Sequence, residues 1–214
     1  MADINPNSIV PAVFGLLGVI VGGCISAGKD WLVARANRNR QVGYLAVRLV
    51  TELDRLVVAC AEIVADDGLN DGQRDENGYC RPQVPYPAFD PIRFEVDWKW
   101  LAPSVAFAIL DLPYKIETAQ RHASNEFEYG DGPPDFTDGF EARQIDFGQI
   151  GLEAHRLAAD LRDFAGLPAR KHETWNPVEF INSELEQLRC ERMARARLAD
   201  TLLDQNLDDG RANA

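Results

Sequence analysis

The sequence predicts an all-α protein: one N-terminal transmembrane helix followed by a mostly antiparallel bundle of about four helices. Three observations carry this expectation. Ile9 to Ala27 is an unbroken uncharged, largely apolar run, and as a helix of roughly 28 Å it matches a bilayer hydrocarbon core. Four later segments repeat apolar residues at alternating steps of three and four, the period of a helix face rather than a strand. Clusters of Gly and Pro mark the breaks between them. The expected organisation is a short extracytoplasmic N-terminus (1–8), a membrane helix (9–28), a cytosolic bundle (29–206) with an irregular Pro/aromatic-rich connection at 68–102, and a polar tail (207–214).

The flanks of the apolar run set its expected orientation. Only Asp3 precedes it, whereas Lys29, Arg35, Arg38, Arg40 and Arg48 follow. Basic residues stay on the cytoplasmic side, so the N-terminus is expected outside and the body in the cytosol, at the inner membrane. Pro11 lies in the first turn, where a missing N–H costs little, and Trp31 stands at headgroup level. A buried core helix would be shorter or less uniformly apolar, and a cleaved secretory signal would open with basic residues. Val21-Gly22-Gly23-Cys24 also reads as a lipidation signal, which would begin the mature chain at Cys24, but that signal too needs a basic start. Gly18, Gly22 and Ser26 form one small-residue stripe, the pattern through which two membrane helices approach closely and self-associate.

At 214 residues, the chain beyond the run suits one domain with its own core. Its net charge is −12. The basic stretch after the run suits anionic lipid, and the acidic body repels nucleic acid, which is excluded as a partner. The four cysteines, Cys24, Cys60, Cys80 and Cys190, show no Cys-x-x-Cys spacing, so neither a disulfide scaffold nor a zinc site is indicated.

Lys29 to Asp66 reads as one long helix. Val42, Ala46, Leu49, Leu53, Leu56, Cys60 and Ile63 form a coiled-coil-like seam, and Val47, Val50, Val57 and Val64 widen it into a face suited to a bundle. Asp66-Asp67-Gly68 ends it. In the connection that follows, Leu69 to Gly78 is polar enough to stay disordered. Its Asp and Asn residues fit no frame of a calcium loop, because placing Gly72 at position 6 puts Leu69 at 3 and Gly78 at 12. Pro82, Pro85, Pro87 and Pro91 then alternate with aromatics. Tyr86, Phe89, Trp98 and Trp100 either cover the bundle or form a partner surface, since aromatics concentrate at interfaces.

The second helix starts near Pro103 and buries Val105, Ile109, Leu112, Ile116 and Ala119, with a kink expected at Pro113. Gly130 to Pro134 breaks the chain. The third helix, about Asp138 to Ala165, presents Phe147, Ile150, Ala154, Leu157, Leu161 and Phe164, and stops at Gly166-Leu167-Pro168. The fourth opens on Asn176 as cap and Pro177 as first residue, with Trp175 and Phe180 as a hydrophobic staple. Val178, Ile181, Leu185 and Leu188 supply its buried face, continued by Leu198 and Leu202, and Glu191 and Arg195 make an i,i+4 pair.

No catalytic constellation survives inspection. There is no phosphate loop and no Gly-x-Ser-x-Gly elbow. His172-Glu173 lacks a second His, since Asn176 stands there. Ala119, Leu152 and Ala169 stand three residues before His122, His155 and His172, so no Glu-x-x-His di-iron motif exists. His155 reads as a structural residue. No cofactor is indicated. The functional expectation is a single-pass, membrane-anchored interaction or scaffold protein that self-associates or holds a protein partner at the bilayer. The alternatives are a tethered enzyme or small-molecule sensor with a pocket in the bundle, and a membrane-disrupting, lysis-type effector.

Overall fold

The computed structural model describes residues 43–93, 98–171 and 174–212, with side chains to residue 198 and at 201. Among these residues the fold is a helical bundle: four α-helices and no strand. They are α1 (43–64), α2 (Pro103–Tyr129), α3 (Thr137–Ala165) and α4 (Pro177–Ala212), with short 3-10 turns at Pro91–Arg93 and Trp98–Trp100. None of the described helices is long and apolar enough to cross a membrane. The run Ile9–Ala27, with Gly18, Gly22 and Ser26, lies outside the described residues.

α3 is the central element. Asp54, Cys60 and Asp66 of α1 and its C-terminal turn lie against Arg162, Gly151 and Arg143 in turn, so α1 runs antiparallel to α3. Lys115 and His122 of α2 meet Glu153 and Asp146, and Leu185 and Arg195 of α4 meet Gly148 and Glu141. Each neighbour therefore opposes α3, and α1 and α2 share one direction. Two parallel helices cannot be joined by a tight turn. The chain must return along the bundle, which explains a connection as long as 65–102.

The apolar faces meet around α3. Leu49, Leu53, Cys60, Ile63, Ile109, Leu112, Ala154 and Ile181 are wholly buried, as is Phe147. From Ala46 to Ile63 the seam of α1 is the face it buries; Val42 lies outside the described residues. Three positions expected on buried faces are exposed: Val47 of α1, Phe164 of α3 and Leu198 of α4; the Leu202 side chain lies outside those described. On α4 the seam passes from Leu185 and Leu188 to Arg192 and Arg195, which reach Glu141; Arg195 thus pairs across the bundle, while Gln187 donates to Glu191 at 2.9 Å.

The helix ends follow their local chemistry. Asn176 accepts the Val178 N–H at 3.1 Å, and Trp175 packs on Phe180 with ring centroids 6.0 Å apart, so cap and staple both form. Gly166 ends α3 in the left-handed region at φ 65°, where a Cβ is disfavoured. α2 continues as one helix through Pro113, although Pro113 offers no N–H to the buried Ile109 carbonyl.

The segment 69–78 is folded on itself in spite of its polarity. Asn70 and Gln73 exchange backbone hydrogen bonds at 2.8 and 2.9 Å around Asp71-Gly72. Asp75 accepts the N–H groups of Asn77 and Tyr79 and the Arg81 Nε, each within 2.9 Å. These local bonds replace the apolar burial the segment lacks. Arg81 then lies 5.6 Å from the ring centroids of both Tyr79 and Phe136, and Phe136 lies 6.2 Å from Phe127 of the edge-to-face pair Phe127–Phe140. An aromatic cluster therefore closes the α2–α3 end of the bundle.

Candidate functional site

Most buried charge in the bundle is spent on its own architecture. Asp66 and Arg143 are each 1% exposed at the side chain and bond at 2.6 Å. The Asp66 carboxylate also accepts the backbone N–H groups of Gly68, Gln83 and Val84 at 2.8–3.0 Å. Burial alone would raise this carboxyl, but the hydrogen bonds from Val84, Arg143 and Gly68, with the Arg143 charge, together hold it below the ordinary aspartate value. Arg143 donates in turn to the Val84 carbonyl and lies 5.4 Å from the Tyr86 ring centroid. One ion pair thus fastens the returning connection to α1 and α3. Arg162 and Arg170 converge on Asp54, and Arg192 and Arg195 on Glu141. The Glu141 bond holds the Arg195 guanidinium above its usual value.

One set of accessible polar groups gathers between α2 and α3. A cleft of about 440 Å³ is lined by Tyr114, Lys115, Thr118, His122, Asp146 and Glu153, with Ala119 and Ile150 as its apolar wall. The Lys115 ammonium bonds both Glu153 oxygens at 2.6 and 2.7 Å and lies 3.6 Å from Asp111. His122 Nδ1 is 2.6 Å from Asp146, and its Nε2 is 3.6 Å from Glu126. Helix spacing explains the set: Asp111, Lys115, Thr118 and His122 follow at steps of four, three and four along one edge of α2. The arrangement presents carboxylates, an imidazole and hydroxyls to a polar or cationic group. A second groove, about 490 Å³, lies between α3 and α4, with Ile145, Leu152, Leu185 and Met193 as its apolar part and Arg189 and Arg192 beside them.

Next to the α2–α3 cleft, Phe107, Leu110 and Tyr114 stand 71%, 38% and 63% exposed. They occupy one stripe of α2, out of phase with its buried Ile109, Leu112, Ile116, Ala119 and Ala123. Their spacing of three and four was visible in the sequence, but the stronger periodicity of the buried face masked it.

The aromatics of the connection lie elsewhere. Tyr86, Phe89, Trp98 and Trp100 are all half-buried. Tyr86 stacks on Phe147 at 5.2 Å between centroids, and Lys99 lies 5.0 Å from the Trp100 ring centroid. Tyr86 thus serves as cover for the bundle core. Among the described residues no group of three or more His, Cys, Asp and Glu side chains is placed to hold a metal ion.

No protein-family model matches the chain, and neither the curated proteins nor the solved structures yield a match.

Proposed function

We infer that the chain is a membrane-anchored interaction module: a helical bundle tethered by Ile9–Ala27 that holds a protein partner at the inner face of the cytoplasmic membrane. The observation that carries this reading is the stripe Phe107–Leu110–Tyr114, large apolar residues exposed together on one face of α2 in a chain of net charge −12. Aromatic residues grouped on one exposed face supply the anchors of protein interfaces. The uncharged run and the basic residues after it support the tether and its orientation. Gly18, Gly22 and Ser26 support association of the anchors in the bilayer. The aromatic connection, through the half-buried Phe89, Trp98 and Trp100 rather than the stacked Tyr86, supports a second, less exposed surface.

Thiol labelling tests the topology. Cys190 is exposed, whereas Cys60 and Cys80 are buried, and burial pushes the Cys60 thiol up to about 12. In a Cys24→Ser background, Cys190 is therefore the one described thiol expected to react with a membrane-impermeant maleimide while the bundle is folded. Labelling is expected only after cells are lysed, with the chain resisting alkaline extraction from membranes. A charge placed at Leu17 is expected to release it. Labelling of Cys190 in intact cells would overturn the orientation, and repeating it with Cys24 restored would then test the lipidated Cys24 reading.

A further inference from the structure

We propose that the outward face of α2 docks an amphipathic helix with basic flanks from a partner protein; this rests on the interaction-module reading and names its surface. Successive helix residues turn about 100°, so Phe107, Leu110 and Tyr114 fall within a sector of about 60°. That sector lies opposite the buried Ile109–Leu112–Ile116 face. Anchors at i, i+3 and i+7 are the spacing by which helices recognise one another side by side. Tyr114 also lines the α2–α3 cleft, so the stripe continues into a groove rather than ending on a flat surface.

Charge selects the occupant. Asp111 and Glu117 flank the stripe on α2, and Asp146 and Glu153 edge the cleft on α3. The one lysine lining the cleft, Lys115, is already held by Glu153 and Asp111, and Arg156 lies 4.0 Å from Glu153. Arg121, exposed two turns beyond Tyr114 in the same sector, donates to the Glu117 carbonyl. Asp111, Glu117, Asp146 and Glu153 thus outnumber the cations and the rim stays acidic. Nucleic acid and anionic bilayer both meet repulsion at such a rim, within a chain of net charge −12. A second copy using the same face would set carboxylates against carboxylates. A helix with an apolar stripe and Lys or Arg beside it meets complementary potential along the edge formed by Asp111, Asp146 and Glu153, with Arg121 marking the C-terminal end of the stripe.

The test uses the full chain in phosphatidylcholine nanodiscs and two fluorescent synthetic peptides of about five helical turns, ~18 residues each. Both carry the same Leu stripe, one flanked by Lys and Arg, the other by Glu. The basic peptide is expected to bind saturably and at least tenfold more tightly than the acidic one. Phe107→Ala with Tyr114→Ala is expected to weaken it at least tenfold, and Glu117→Lys severalfold, while Met193→Ala in the α3–α4 groove leaves it unchanged. Equal binding of the two peptides, or binding indifferent to Phe107 and Tyr114, overturns the proposal. So does self-association, or adhesion to phosphatidylglycerol vesicles, that disappears in the Phe107/Tyr114 variant. Co-flotation of the chain with the nanodisc reads the tether separately, so loss of docking with insertion retained removes this surface and leaves the anchored module standing.

Discussion

Replacing Asp66 with alanine is expected to destabilise the bundle by about 3–5 kcal/mol, the usual cost of stranding one partner of a buried ion pair. Against a typical total stability of about 5–15 kcal/mol, that loss is large. The cost has two sources in this fold. Arg143, 1% exposed at the side chain, loses its carboxylate partner. The N–H groups of Gly68, Gln83 and Val84 lose their acceptor as well, so the connection that returns along the bundle comes loose. The second source separates Asp66 from a simple ion pair. Replacing both charges, as Asp66→Leu with Arg143→Met, is often neutral for an isolated buried pair. Here it is expected to recover only part of the loss, because three backbone donors stay unsatisfied.

The pH dependence has a definite sign. The folded Asp66 carboxyl is held below its ordinary value, so its contribution is fully present above the unfolded aspartate value of about 3.9 and is lost as pH falls through the folded value. Urea unfolding of the wild type and of Asp66→Ala, compared between about pH 7 and pH 3, reads this directly. The gap between the two proteins is expected to be constant at neutral pH and to narrow toward the acid end. A gap that stays constant across the whole range would show that the carboxylate charge contributes nothing.

The sequence carried the helices because each depends on neighbours three or four residues away. The seam from Ala46 to Ile63, the cap at Asn176, the staple of Trp175 on Phe180 and the stop at Gly166 are all local, and all are found in the structure. What joins the helices is not local. Asp66 and Arg143 lie 77 residues apart, and Asp54 and Arg162 lie 108 apart. In so acidic a chain any arginine has many candidate partners, so spacing could not select these. Arg192 and Arg195 sit on the apolar seam of α4 yet look like surface residues, until Glu141 is found buried opposite. The candidate site was hidden for the same reason. Phe107, Leu110 and Tyr114 become distinctive only once α2 is known to bury its other face, and His122 gains Asp146 only when α2 and α3 fold back together. Small residues carry the same lesson: nothing local distinguishes Gly148 and Gly151 of α3, and only the folded bundle shows Leu185, Cys60 and Ile181 packed against them.

The tight packing at Gly151 gives the second large effect. Gly151→Val is expected to cost about 2–3 kcal/mol, the upper part of the range for overpacking a tight core. A Cβ at position 151 would lie 2.9 Å from the Cys60 Cβ and 3.0 Å from the Ile181 Cδ1. Both neighbours are wholly buried, and the Cys60 Cβ is bonded directly to the α1 backbone, so relief requires α1 or α4 to move. Glycine itself disfavours a helix by about 1 kcal/mol relative to alanine. Gly151→Ala therefore gains propensity while losing packing, and is expected to fall between wild type and Gly151→Val. Gly148→Ala is the internal control. Its Cβ would meet only the Leu185 side chain, at 3.0–3.1 Å, and that half-buried residue can shift rotamer toward the α3–α4 groove. Its change is expected to stay within about 1 kcal/mol, with the propensity gain offsetting the contact. Urea midpoints for the three variants rank them on one scale. Equal stability of Gly151→Val and Gly148→Ala would mean that α1, α3 and α4 do not meet at van der Waals contact around position 151, and the bundle would have to be drawn with α3 displaced from its centre.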